Sequence, residues 1–298
     1  MSVFERNLFD CEINVNMFDK TDKNINMNNI NMNTLKEIAD RFGRDAIINY
    51  ILSQAEKSKD FQNPLNMLVL KSVVENIFNN VNLDSFDSFN KDFEKGLKIL
   101  GKLSLYQKKE IPETLTNDEL KNYGILRTPV ARCSGLPLLT KQWIKMLADY
   151  IGRGRCLEVC SGLGALSKSL QDCGIDIICT NLLHNDVYAF DYKKPENRWT
   201  HVEKMDCFDA VKLYGSNVDF MIGSWIEVNK SDRDFDLYKC FKEQNPNGKF
   251  IMIGLINGGF STNFMSASKL TDTHIWSNIN KHFPSWSREY DDYLIIVE

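Results

Sequence analysis

Arg155-Cys-Leu-Glu-Val-Cys-Ser-Gly-Leu-Gly-Ala-Leu-Ser167 is the stretch on which the fold turns. A short apolar run, Cys156–Val159, leads into a turn holding Gly162 and Gly164, and an amphipathic helix follows at once. Small residues are required where a chain bends sharply and lets a ligand lie against bare backbone, and the N-terminus of the next helix supplies amide donors. In an open α/β sheet, a strand, glycine turn and helix in that order mark the crevice where a nucleotide binds.

Outward from this unit the pattern repeats. Strand-length apolar runs occur at Ile175–Thr180, Val218–Ile222, Phe250–Ile253 and Leu294–Val297, with a weaker one at Thr200–Val202. Stretches such as Leu163–Cys173 and Phe235–Lys242 have helical character and lie between them. Strands alternating with helices predict a doubly wound, mainly parallel α/β sheet covered on both faces, spanning residues 124–298. Thr140 is the expected cap of a helix carrying Trp143, Ile144, Leu147 and Ala148.

The chain before residue 124 differs. Asparagine supplies 17 of residues 1–100 but 13 of the other 198, and six fall within Asn24–Asn33. Residues 1–33 therefore read as a partly flexible, Asn-rich segment. From Thr34, apolar residues at Leu35, Ile38, Ala39, Phe42, Ala46 and Ile47 recur at helical spacing. Further helical runs cover Pro64–Phe78 and Phe86–Leu103, which predicts a small helical module over residues 34–123 that caps the site or engages a protein partner.

Composition narrows the function classes. The chain has 298 residues, 43% hydrophobic and 26% charged, with a net charge of −4, so the overall balance recruits neither a nucleic-acid backbone nor an anionic membrane. No apolar run reaches the ~18 residues of a membrane span, and the charged start MSVFERNLFD does not read as a signal peptide, so a cytoplasmic location is expected. Eight cysteines without a Cys-x-x-Cys pair and four scattered histidines predict reduced thiols and no metal site.

The glycine turn lacks a third glycine, since Ser167 stands where a dinucleotide fingerprint would place it. With Glu158 four residues ahead of Gly162, however, Glu-x-x-x-Gly-x-Gly at the end of the first strand resembles motif I of the class I S-adenosylmethionine-dependent methyltransferases. The resemblance extends in element order from about Thr140 to Glu298 and implies a Rossmann-like, seven-stranded-type sheet with an antiparallel last strand in a closing hairpin. It implies S-adenosylmethionine as cofactor, held at Glu158, Cys160, Gly162 and Gly164. Asn181, at the end of the second strand, occupies the place of the carboxylate that receives the ribose hydroxyls. Met205 and Asp206 fall in the adenine loop, with Asp209 a competing choice that also reads as a helix first-turn acid.

At the end of the fourth strand the family meets its methyl acceptor, often with a Pro-Pro-aromatic sequence. Here the residues are Ser224-Trp225-Ile226-Glu227, without the prolines. The resemblance assigns Ser224 and Trp225 to positioning the acceptor, and Glu227 to acting as base or anchor. Sulfonium methyl transfer needs chiefly in-line placement, so a dedicated acid or base is optional. The implied function is methyl transfer to a nucleophile on a small molecule or protein, with nucleic acid left open. Two alternatives stand beside it: a degenerate methyltransferase fold retained for binding or structure, and a nicotinamide oxidoreductase.

Overall fold

A computed structural model describes residues 41, 44–56, 71, 74–75, 98–99, 101–103, 105–120, 127–183, 194–226, 232–255, 259–285 and 292–298. The chain divides into two compact units, Met1–Gly96 and Leu97–Glu298.

In the first unit the helix α1 (Arg44–Glu56) overlaps the end of the helical run expected from Thr34 to Ile47 and continues past it. Ile51 and Val74 are fully buried there. The Asn-rich stretch Asn24–Asn33 lies outside the described residues.

The second unit begins upstream of the residue 123 to 124 boundary set from sequence, because the chain after Leu97 packs onto the sheet's helices. Tyr106 Oη donates to Leu139 O at 2.5 Å. Lys141 N and Gln142 N donate to Pro112 O and Glu113 O at 2.9 and 3.1 Å. Short helices α2 (Asn117–Leu120) and α3 (Arg127–Ser134) follow. Helix α4 (Lys141–Ile151) then starts at the expected cap, where Thr140 Oγ1 accepts from Trp143 N at 3.3 Å.

From there strand and helix alternate: β1 (Cys156–Val159), α5 (Ala165–Asp172), β2 (Ile177–Asn181), β3 (Glu203–Lys204), α6 (Cys207–Tyr214), β4 (Phe220–Ser224), α7 (Arg233–Gln244), β5 (Lys249–Leu255), α8 (Thr262–Ala267), α9 (Thr273–Asn280) and β6 (Asp292–Val297). The described sheet has six strands in the order β3-β2-β1-β4-β5-β6. The first five are parallel, and β6 runs antiparallel to β5, with Ile251 opposite Ile296.

The third strand is displaced from its expected place. Glu203 and Lys204 pair with Thr180 and Asn181, whereas residues 200–202 form no strand. Val202 is apolar because it is buried beneath the glycine turn, with its Cγ2 3.0 Å from where a Gly164 Cβ would sit. The closing strand is present as expected. Phe283 precedes it outside any strand and stacks on Trp143 at 4.3 Å, and residues 286–291 of the expected hairpin lie outside the described residues.

Side-chain alternation along β1 sends Leu157 and Val159 into a core shared with Met221, Phe250, Met252, Phe241 and Phe264. The opposite face carries Glu158, which meets α5 through Ser167. Burial on both faces explains why these strands read as continuous apolar runs. Among the described residues no helix is long and apolar enough to cross a membrane.

Candidate active site

Strand order reverses between β2-β1 and β4-β5, so the chain leaves β1 and β4 in opposite directions at the carboxyl edge of the sheet. That switch point is where open α/β sheets form a ligand crevice. Cys160, Asn181, Met205, Ser224 and Trp225 all stand at or just beyond strand ends on this edge.

The β1 turn is built from left-handed backbone. Cys160, Gly162 and Gly164 have φ of 55°, 59° and 76°. At Gly164 the requirement is double, since a Cβ would also meet Thr200 Cγ2 at 3.1 Å and Cys179 Sγ at 3.3 Å. This glycine keeps α5 close against β2 and β3.

Glu158 points inward and is 1% exposed. Its Oε2 accepts from Ser167 N at 3.1 Å and from the Ser167 hydroxyl. Ser167 therefore replaces the third glycine with a purpose: its hydroxyl satisfies a buried acid at the helix N-terminus, where negative charge is favoured. Burial nevertheless pushes the Glu158 carboxyl up to about 7, against the opposing pull of the two Ser167 bonds. Among the described residues no cationic side chain pairs with it.

Asn181 ends β2 with its Oδ1 already accepting from Leu183 N at 2.7 Å. This Asx turn holds Leu183 at φ 56° and leaves the Asn181 Nδ2 as the group available to a ligand. Replacing Asn181 with Asp keeps the turn on one oxygen and turns a second, charged oxygen outward. Asn181→Asp is expected to tighten binding of a ribose-bearing ligand by about tenfold, the gap between a neutral and a charge-assisted hydrogen bond, as measured by calorimetry. Unchanged affinity would mean that residue 181 does not face the ribose.

Asp206 is more heavily engaged than a free adenine acceptor. It caps α6, its Oδ1 accepting from Phe208 N at 2.9 Å, and its Oδ2 pairs with Arg233 Nη2 at 3.2 Å. Met205 is half-buried against the core and donates its amide to Asn181 O at 3.1 Å. Asp209 is an exposed acid in the first turn of α6, as the competing reading has it.

At the end of β4, Ser224 is buried and its hydroxyl has no hydrogen-bond partner among the described residues. Trp225 adopts φ 53°, a conformation that costs a bulky residue about 1–3 kcal/mol and clusters at functional sites. Its amide donates to Ile253 O at 2.8 Å, its indole Nε1 is buried without a hydrogen-bond partner among the described residues, and the Arg127 guanidinium lies 5.0 Å from its ring centroid. Glu227 lies outside the described residues.

Three residues of this edge contribute without a sequence signal that singles them out. Ser167 reads in sequence only as a missing glycine. Arg233 binds Asp206 from 27 residues away, a pairing that no local pattern signals. Asp234, fully buried, accepts from Phe235 N at 2.8 Å and Ser261 N at 2.7 Å, tying α7 to the cap of α8. An acid in the first turn of a helix is its available signal.

No protein-family model and no curated protein matches the chain in sequence. Among solved structures it is similar to TehB from Haemophilus influenzae, with 12% identity, 58% of this chain and 66% of that one covered, and a TM-score of 0.34. It is also similar to a mutant form of MtNAS, with 11% identity, coverage of 91% and 82%, and a TM-score of 0.33. The strand order, the antiparallel outer strand and the glycine turn at the switch point are read from this chain itself. They form a doubly wound, Rossmann-like α/β fold.

Proposed function

We propose that the chain binds S-adenosylmethionine at the β1 turn and transfers its methyl group to a nucleophile held at Ser224 and Trp225. The observation that carries this reading is Glu158, a buried acid at the switch point whose charge is uncompensated by any described cation. A cationic ligand there would favour the ionised carboxylate, and a buried unpaired acid is otherwise costly to keep. The remaining groups fit the same ligand: positive-φ glycines beside a helix N-terminus, the Asn181 amide at the ribose position, and the Met205 side chain at the adenine position.

The cofactor, when bound, supplies an electrophilic methyl group on a sulfonium. The chain's own contribution is placement and exclusion of water. Ser224 offers a hydroxyl and Trp225 an indole N–H, both desolvated and both without hydrogen-bond partners among the described residues, so an acceptor that hydrogen-bonds them is oriented at low cost. Glu227 follows in the same segment as base or anchor. The acceptor is a small molecule or protein, the setting is the cytoplasm, and the helical segment before the sheet is a place for a protein partner.

A second reading has support of its own. Asp206 and the Asn181 Oδ1 are both committed to internal hydrogen bonds, which favours a fold retained for binding or structure without catalysis. Transfer of tritiated methyl from S-adenosylmethionine into fractionated cell extract separates the two. Ser224→Ala is expected to lower incorporation about tenfold or more while leaving thermal stability unchanged or raised, because it removes a buried unpaired hydroxyl. Counts in wild type and Ser224→Ala no higher than in Gly162→Arg would leave the non-catalytic reading in place.

A further inference from the structure

We propose that Arg127 and the Trp225 indole N–H hold a carboxylate on the methyl acceptor, which makes the acceptor a small organic acid whose nucleophile lies elsewhere on the molecule. The proposal rests on the reading of the β4 end as the acceptor site. Helix α3 brings its first residue, the half-buried Arg127, to the residue that follows β4. There the guanidinium carbon lies 5.0 Å from the centroid of the Trp225 ring.

The donors define what can bind. The indole Nε1 is buried, has no hydrogen-bond partner among the described residues and can only donate. A guanidinium likewise has N–H donors and no acceptor. Nε1 belongs to the ring that Arg127 lies against, so both side chains are within reach of the two oxygens of one carboxylate, the group that Arg engages in short charge-assisted bonds. The helix adds to the same field. Its first turn holds Arg127 and no acid, and a cation at a helix N-terminus raises the positive potential there instead of offsetting it. With a net charge of −4 on the whole chain, this positive spot is a local feature.

The backbone fixes the direction of the indole. Trp225 is held at φ 53° by the bond from its amide to Ile253 O at 2.8 Å, and strain of this kind persists only where the surroundings impose it. One guanidinium matches one negative charge, which suits a carboxylate better than a phosphate carrying nearly two. Roles then divide along the β4 end. A carboxylate neutralised by a cation is a weak nucleophile, so Arg127 and Trp225 anchor the acid while the neighbouring Ser224 hydroxyl, buried and without a described partner, orients the atom that receives the methyl group.

Nuclear magnetic resonance of the nitrogen-15-labelled full chain, titrated with acetate and with acetamide at matched ionic strength, tests the anchor without any transfer. The chain has five tryptophans, and the Trp225 indole N–H signal is the one missing from Trp225→Phe. It should shift saturably with acetate and stay in place with acetamide. Arg127→Gln, its fold checked by thermal unfolding, should weaken acetate binding about tenfold or more, and Arg127→Lys, which keeps the charge but not the fork, should fall between. A signal that ignores acetate, follows acetamide equally, or responds alike in Arg127→Gln would overturn the carboxylate site. Tritiated-methyl transfer into the small-molecule pool of the extract, split by anion exchange, then tests the acceptor. Label above the Gly162→Arg background should enter the retained acids and leave them still retained, with Arg127→Gln raising KM more than it lowers kcat. Label confined to unretained compounds or to protein, or a product that has lost its charge, would overturn the anchoring role. An acetate response with no label in any pool would contradict methyl transfer and leave the carboxylate site standing.

Discussion

Glu158→Gln is expected to stabilise the protein at pH 8 and to weaken its cofactor binding, two effects of opposite sign from one side chain. The folded Glu158 carboxyl keeps its proton up to about pH 7, against an ordinary value of 4.5. Between those values the folded state binds more protons than the unfolded state, so the contribution of Glu158 to stability falls as pH rises from about 4.5 to about 7. The loss amounts to about 3 kcal/mol in full, and allowing about 1 kcal/mol for the extra NH2 group of glutamine leaves a net gain of about 2 kcal/mol at pH 8. Near pH 4.5 both folded side chains are neutral and the sign reverses, Glu158→Gln being less stable by the roughly 1 kcal/mol its extra NH2 group costs. Urea unfolding of both proteins across this range measures it.

The same substitution removes a charge-assisted contact to a cationic ligand, which should cost about ten- to a hundredfold in affinity for S-adenosylmethionine. Wild-type affinity should also fall below about pH 7, where ligand binding must displace the proton. A Glu158→Gln protein less stable at pH 8 than wild type would show that the anion is needed for the fold. Unchanged affinity would show that the carboxylate does not face the ligand.

Gly164→Ala is expected to give the second large effect, a destabilisation of about 3 kcal/mol. The left-handed conformation at φ 76° accounts for about 1–2 kcal/mol with any L side chain. The new methyl would also meet Val202 Cγ2 at 3.0 Å, Thr200 Cγ2 at 3.1 Å and Cys179 Sγ at 3.3 Å, an overpacking worth about 1–3 kcal/mol. Gly174→Ala is the matched control: φ is 86°, but nothing lies within 4 Å of its Cβ position, so only the backbone contribution applies. Denaturant unfolding should separate the two by about 1–2 kcal/mol. Equal losses would mean that α5 can move away from β2 and β3 at no cost.

The parts of this fold that are legible in sequence are those set by local chemistry. Cys156–Val159 is a strand of four buried residues bounded by Arg155 and a glycine turn, and its limits agree with those read from the pattern. Thr140 caps its helix through a bond to a residue three positions on. The pattern misplaces β3 because apolar Val202 marks burial beneath Gly164, while the residues that pair with β2 are the charged Glu203 and Lys204. Helices α8 and α9 escape it, since Thr262–Ala267 and Thr273–Asn280 are short and rich in Ser, Thr and Asn.

At the candidate site, positions are legible and partners are not. Asn181 and Asp206 both end up on the carboxyl edge, because strand ends follow from strand runs. That Asn181 spends its carbonyl oxygen on Leu183, and Asp206 its carboxylate on Phe208 and Arg233, depends on backbone conformation and on a contact across 27 residues. The use of Ser167 as donor to Glu158 likewise needs the helix to pack back over the strand end, a consequence of the turn at Gly164.

The most direct measurement of the central claim is calorimetry of the reduced wild-type chain at pH 8 with S-adenosylmethionine, S-adenosylhomocysteine and NAD in turn, beside Gly162→Arg. One-site binding of the two S-adenosyl compounds, no heat with NAD, and loss of binding in a Gly162→Arg protein that still unfolds cooperatively is the expected result. No heat from either S-adenosyl compound, or binding of NAD in their place, would contradict it.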